Sequence, residues 1–172
     1  MTDFYKLAES RYSVRKFKSN MIPDDVINTI LEAGRLAPTA KNLQPQRIFV
    51  LKSSEAIAKA NELSPCIYGA PVVIAIGYDD NEEWKSAISQ KMHGGVTDTS
   101  IVLTHIMLQA AELGVGSCWV GMFNPDEASK ALNLPDNIVL TALMPLGYPA
   151  DDCSPSDRHS SRKPVNDTVK FL

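Results

Sequence analysis

Cysteine is scarce in this chain of 172 residues: three thiols, Cys66, Cys118 and Cys153, lie far apart with no CxxC spacing. An odd and scattered set argues against a disulfide framework and against a zinc knuckle. Cys118 sits among Val115, Trp119, Val120 and Met122 and reads as a core thiol, whereas Cys66 and Cys153 stand in polar or proline-containing stretches and read as partly exposed. An excess of one charge is also missing. Lys plus Arg total 17 against 20 for Asp plus Glu, a balance without a field to draw in nucleic acid or an anionic membrane. No run of about 18 uninterrupted apolar residues is present, so no span across a bilayer is expected. The opening MTDFYKLAES lacks the basic start and apolar run of a secretory signal, and the expectation is a soluble, cytoplasmic protein. Repeats of 20 to 50 residues and low-complexity runs are absent too, which removes solenoids and propellers. So are GxSxG, GxxxxGK[ST] and HExxH, the usual marks of common hydrolases, nucleotidases and zincins.

What is present is apolar content of 44%, enough for one sizeable core in one domain. Residues 3 to 9 read as a short helix. A second helix begins at Pro23, carries Asp24 and Asp25 in its first turn, buries Val26, Ile27, Ile30, Leu31 and Gly34, and ends near Leu36. Arg47 to Lys52 reads as a strand and Ser53 to Leu63 as a helix with a serine cap. Pro71 to Tyr78 is apolar on both faces, which suits an interior strand. The longest helix runs from about Thr97 to Leu113, with apolar residues around most of its circumference and Gly114 at its end. Such a helix needs cover nearly all round, and a second subunit is one source of it. Ser117 to Met122 reads as a strand, Asn124 to Ala131 as a capped helix, and Ile138 to Leu146 as the last strand. The mixture indicates a layered α+β domain over 1–172, with 148–172 as an extended tail.

Four constellations stand out, three of them with a plainer reading alongside. Arg11-Tyr12-Ser13-Val14-Arg15-Lys16 packs three cations and a hydroxyl between two helices. It is either a solvated basic loop or an anion clamp in which guanidiniums fork onto phosphate oxygens. Ala37 to Gln46 is a polar loop whose prolines bracket Asn42 and Gln44; it is either a turn or a set of amides for a heteroaromatic edge. Gly114 to Phe123 carries glycines at a strand end, where Gly121 and Met122 offer backbone amides to a flat ligand. It follows a helix rather than opening one, so it is not a dinucleotide fingerprint. Arg158 to Pro164 is a second basic cluster, either a solvated end or a donor of cations to a site that the tail wraps. His105, inside the long helix, reads as a core or interface residue, and His93 as a loop residue; no histidine pair has metal spacing.

In order, RYSVRKF, APTAKNLQPQRIFV, GAPVVIAIG, THIMLQAAELGVGSCWVGMF and MPLGYP followed by SSRKPVNDTV resemble the nitroreductase family of FMN enzymes, from about residue 9 to 169. The resemblance implies a central, mostly antiparallel sheet flanked by helices and an intertwined homodimer with FMN at its interface. By the same resemblance, Arg11, Tyr12, Ser13 and Arg15 match the segment that holds the phosphate and pyrimidine edge. Pro38, Thr39 and Asn42 match the loop that faces the ring from the other subunit. Gly121 and Met122 match the strand end beside flavin N5, and Arg162 with Lys163 match the tail cations near the phosphate. The implied activity is electron transfer from NADH or NADPH to a small acceptor such as a nitroaromatic or quinone, by alternating use of one site, with no catalytic side chain. Alternatives are an FMN-binding module without nicotinamide turnover, or a specialised relative acting on flavin itself or on a halogenated aromatic. The chain departs from relatives at Gln46, where many have Trp, and at Gly121, where some have an acid. The stretch from Tyr78 to Val96 is short and lacks the helices that roof the cavity in larger members. Trp84, Met92, His93 and Phe123 are either cavity lining or ordinary packing.

Overall fold

A computed structural model describes residues 2–172. Four strands, β1 (Gln46–Leu51), β2 (Val72–Asp79), β3 (Gly116–Ser117) and β4 (Ile138–Gly147), form one antiparallel sheet in the order β1-β2-β4-β3. The helices are α1 (Asp3–Ser10), α2 (Asp24–Arg35), α3 (Ser54–Leu63), α4 (Gly95–Glu112) and α5 (Pro125–Ala131), with a four-residue α6 (Val165–Thr168) in the tail. The architecture is α+β.

The period of two along β2 explains the layers. Val72, Ile74 and Ile76 face a core completed by Ile27 and Ile30 of α2 and by Val102, Leu103 and Ile106 of α4. Val73 and Ala75 face the opposite core, with Ala60 of α3 and Ala128 of α5. A strand covered on both sides has no polar face, which is why its sequence is apolar throughout. Gly34 lets α2 lie close on α4, since a Cβ there would stand 2.7 Å from Ile106 Cγ1. Ser53 and Asn124 cap α3 and α5 through their side-chain oxygens, as their positions in the sequence suggest.

Two elements differ from the sequence expectation. The long helix starts at Gly95 rather than near Thr97, because the buried carboxylate of Glu83 accepts the Gly95 N–H at 2.7 Å. That cap comes from 12 residues upstream and leaves no local mark. The expected strand from Ser117 to Met122 shrinks to Gly116–Ser117 plus an isolated bridge between Val120 and Leu143. The cause is Pro145 on β4. Cys118 N–H donates to Pro145 O at 3.3 Å, but proline has no N–H to return, so the ladder lapses before Val120 resumes it.

Candidate functional site

The segment after α1 is stitched to the β3 edge. Val14 N–H donates to Ser117 O at 2.9 Å, and the Val14 side chain is 2% exposed, wedged over Gly116, where a Cβ would stand 2.6 Å from Val14 Cγ2. With Val14 turned into the core, the alternation of an extended chain sends Ser13 and Arg15 the other way. They open, with Arg11 and Tyr12, onto a cavity of about 300 Å³.

The tail supplies the far wall. Its start runs beside residues 16 to 18, with Lys18 N–H donating to Tyr148 O, Ala150 N–H to Lys16 O, and Lys16 and Lys18 paired with Asp152 and Asp151. A 3-10 turn over Asp157–His159 then brings Ser156, Arg158, His159 and Arg162 to the same cavity. The His159 ring meets the Tyr12 ring edge-on at 6.2 Å. Burial, with Cys153 alongside, pushes the Tyr12 phenol above its ordinary value and leaves it a neutral donor at pH 7.

Of the six arginines, Arg35 is paired with Glu32, and Arg47 with Asp79 and Glu82. Arg11, Arg15, Arg158 and Arg162 have no carboxylate partner among the described residues, and these are the four that line the cavity. Four gathered guanidiniums without counter-charge form a site for an anion with several acceptor oxygens. Arg158 and His159 were singled out only as members of the Arg158–Pro164 cluster, without an assigned role, and Ser156 not at all; the 3-10 turn decides which members of the tail face inward. Lys163 lies exposed outside the cavity wall.

Beyond Cys118 the chain reaches Gly121 and Met122, both exposed. Apart from its two chain neighbours, nothing lies within 4 Å of the position of a Gly121 Cβ, so the backbone there is open to a flat group. Cys118 is 4% exposed, and burial pushes its thiol up despite nearby Arg15. Alkylation by iodoacetamide at pH 8 is therefore expected at the half-buried Cys66 and Cys153 well before Cys118, followed by mass spectrometry. Early loss of the Cys118 thiol would contradict the packing described.

Pro38, Thr39 and Asn42 lie in a loop that does not line this cavity. Lys41, Asn42 and Gln44 have φ of 51°, 56° and 54°, the left-handed region that side chains avoid. The loop is internally bonded, Thr39 Oγ1 accepting the Gln44 N–H at 3.0 Å. It is tied to α4 by Asp98, a 2% exposed residue whose Oδ1 accepts the Ala40 N–H at 3.0 Å. Asp98 belongs to the first turn of α4, while Arg11 and Tyr12 share a smaller cavity with Ala111 and Gly114 at the other end of that helix. At 1.5 Å per residue, Asp98 and Ala111 are about 20 Å apart along the axis. One chain thus holds the cation cluster and the strained loop at opposite ends of α4.

Between those ends, α4 leaves one side uncovered. Thr97, Ser100, Ile101, Thr104 and His105 line a shallow groove, with His105 Nδ1 donating to Ile101 O at 2.9 Å. The expected all-round burial of α4 is therefore incomplete within one chain.

Comparison with known proteins places this geometry. The model of the nitroreductase family matches residues 8–66 and 58–148. An Archaeoglobus fulgidus protein, provisionally named NADH dehydrogenase/NAD(P)H nitroreductase, is 33% identical over 159 residues, covering 88% of each chain. A crystal structure of a nitroreductase family protein from Clostridium difficile 630 superposes with a TM-score of 0.91 at 35% identity, covering 99% of this chain and 98% of the other. A provisionally named nitroreductase from Exiguobacterium sibiricum, solved in complex with FMN, shares the fold with a TM-score of 0.85 at 24% identity, over 100% of this chain and 98% of that one. With the family model covering most of the sequence and the same fold recovered across these relatives, the chain belongs to the nitroreductase family.

Proposed function

We propose that this protein is an FMN-dependent oxidoreductase that passes electrons from NADH or NADPH to a small acceptor, such as a nitroaromatic or a quinone, as a homodimer with the whole of 1–172 as one FMN-binding unit. The observation that carries the reading is the set of four arginines without carboxylate partners around one cavity. Their charge and fork geometry fit a phosphate monoester, which carries about −1.5 to −2 at pH 7. The Exiguobacterium sibiricum protein with the same fold was solved with FMN, and the Archaeoglobus fulgidus relative is named for NAD(P)H chemistry, in line with this assignment.

In this reading Arg11, Arg15 and Arg162 bind the phosphate, Tyr12 and Ser13 donate from their hydroxyls, and Arg158 and His159 close the outer wall. Lys163 stays at the rim, where its charge adds to the field. Gly121 and Met122 present backbone amides to the ring. When bound, FMN supplies the redox chemistry, receiving electrons from the nicotinamide and delivering them to the acceptor in a ping-pong sequence. The chain's own work is to orient the ring, exclude water from one of its faces, and leave the other face open to each substrate in turn.

The distances along α4 support the dimer. Two copies packed antiparallel through the uncovered side of α4, about an axis near Thr104 and His105, would bring the Pro38, Thr39 and Asn42 loop of one next to the Arg11 end of the other. This completes a ring pocket that one chain holds only in halves.

The test is anaerobic mixing of the FMN-loaded protein with NADH and with NADPH. Bleaching of the yellow absorption band by at least one donor, reversed by a nitroaromatic or quinone, is the expected result. A spectrum unchanged by both donors would replace the enzyme with a flavin-binding module.

A further inference from the structure

Between the Val120 bridge and the cap of α5, the chain has few tethers. Val120 is fixed to Leu143 of β4 by bonds of 2.8 and 3.0 Å, and Asn124 is held as the cap of α5. In between, the carbonyl of Met122 accepts the hydroxyl of Ser64 at 2.7 Å, a contact that spans 58 residues of sequence. Ser64 follows α3, is 1% exposed, and uses its oxygen a second time to accept the Cys66 N–H at 3.1 Å. The Cys66 and Met122 sulfurs lie 3.9 Å apart on the same contact.

By contrast, the N–H groups of Gly121 and Met122 have no acceptor among the described residues. Peptide units are rigid planes hinged at Cα; the plane that carries the Met122 N–H therefore lies between two held neighbours, the Val120–Gly121 plane, whose carbonyl accepts from Leu143 N–H, and the Met122–Phe123 plane, whose carbonyl accepts from Ser64. A buried hydroxyl thus holds the carbonyl side of a segment whose donors are free and whose outer face is open.

We propose that Ser64 is a positioning residue: its hydroxyl, bonded to the Met122 carbonyl, holds one side of the peptide that carries the free Met122 amide and so aims that amide at flavin N5. The proposal rests on the FMN reading above and adds the group that sets the donor's direction. An amide donor suits a ring nitrogen that accepts in the oxidised state and bears its own hydrogen in the reduced state. Holding the donor in place therefore favours oxidised over reduced flavin, and loosening it raises the midpoint potential.

The experiment compares the holoprotein with Ser64→Ala and Ser64→Thr, each reconstituted with FMN and with 5-deaza-FMN, in which C–H replaces N5. The wild type is expected to bind FMN about five- to tenfold more tightly than the deaza analogue, the size of one net hydrogen bond. Ser64→Ala is expected to bring that ratio near one and to shift the two-electron equilibrium toward reduction by up to about tenfold, ~30 mV. Ser64→Thr, which keeps the hydroxyl, is expected to retain both wild-type values. A wild type with no preference would overturn the N5 placement, and this inference with it. A wild-type preference kept intact in Ser64→Ala, with an unchanged potential, would overturn the role of Ser64 alone. If Ser64→Ala does not fold, Ser64→Cys, with its weak S–H donor, is read on the same ratio, and a ratio equal to wild type overturns the proposal.

Discussion

Replacing Arg11 or Arg15 with alanine is expected to weaken FMN binding by about 10- to 100-fold each, the range of a charge-assisted hydrogen bond of roughly 1.5–3 kcal/mol. Neither side chain makes an ion pair within the fold, and Arg15 is exposed. Stability of the flavin-free protein should therefore stay within about 0.5 kcal/mol of wild type. Flavin fluorescence titration measures the first quantity and thermal unfolding of the apoprotein the second. The combination is diagnostic, because a structural arginine such as Arg47, which pairs with Asp79 and Glu82, should instead lower stability when removed. Rising ionic strength should weaken FMN binding in the wild type more than in either variant, since the screened charges are those removed. Retention of wild-type affinity in both variants would show that the cavity does not hold the phosphate.

For the homodimer proposed above, Ile101→Asp is expected to leave a monomer at micromolar concentration and to abolish flavin binding at the same time. Ile101 is half-buried on the uncovered side of α4, in the groove shared with Thr97, Ser100, Thr104 and His105. Around a two-fold axis each substitution counts twice, and two unpaired carboxylates driven into an apolar contact cost several kcal/mol. Within the monomer the side chain can turn to water, so the fold should persist. Sedimentation of wild type and variant, with and without FMN, reads both effects. The two losses should coincide, because the strained loop and the arginine cluster sit about 20 Å apart along one α4 and meet only between copies. A monomeric variant that keeps its flavin would exclude a shared site.

Much of the architecture was legible from spacing. The apolar run from Val72 to Ile76 indicated a strand covered on both faces, and it is the buried second strand of the sheet. Ser53 and Asn124 marked helix starts because capping is a local interaction between residues two or three apart. Where the deciding contact was distant, local reading failed. Gly95 begins α4 because Glu83 folds back onto it, and the strand after Ser117 breaks because its neighbour in space is Pro145.

The candidate site divides in the same way. Arg11, Tyr12, Ser13 and Arg15 were recognisable because they share one short segment, and the cavity lies against it. In the tail, Arg162 was named, but Arg158 and His159 stood only as cluster members and Ser156 was not named, because a 3-10 turn brings them inward and leaves Lys163 outside. The anchors Asp98 and Ser64 had no sequence mark at all. An aspartate in a first helical turn and a serine after a helix are ordinary residues there, and only their contacts with Ala40 and Met122 distinguish them.

By itself, the sequence determined the α+β class, most helix and strand positions, and the family, since each is written in neighbouring residues by periodicity, caps and motifs. Tertiary structure alone decided that four of six arginines converge without counter-charge and that the strained loop with Pro38, Thr39 and Asn42 and the cation cluster occupy opposite ends of α4. The physical reason is range. Backbone preferences act over a few residues, whereas a binding site is made by side chains that are distant in the chain and meet only when the core brings them together.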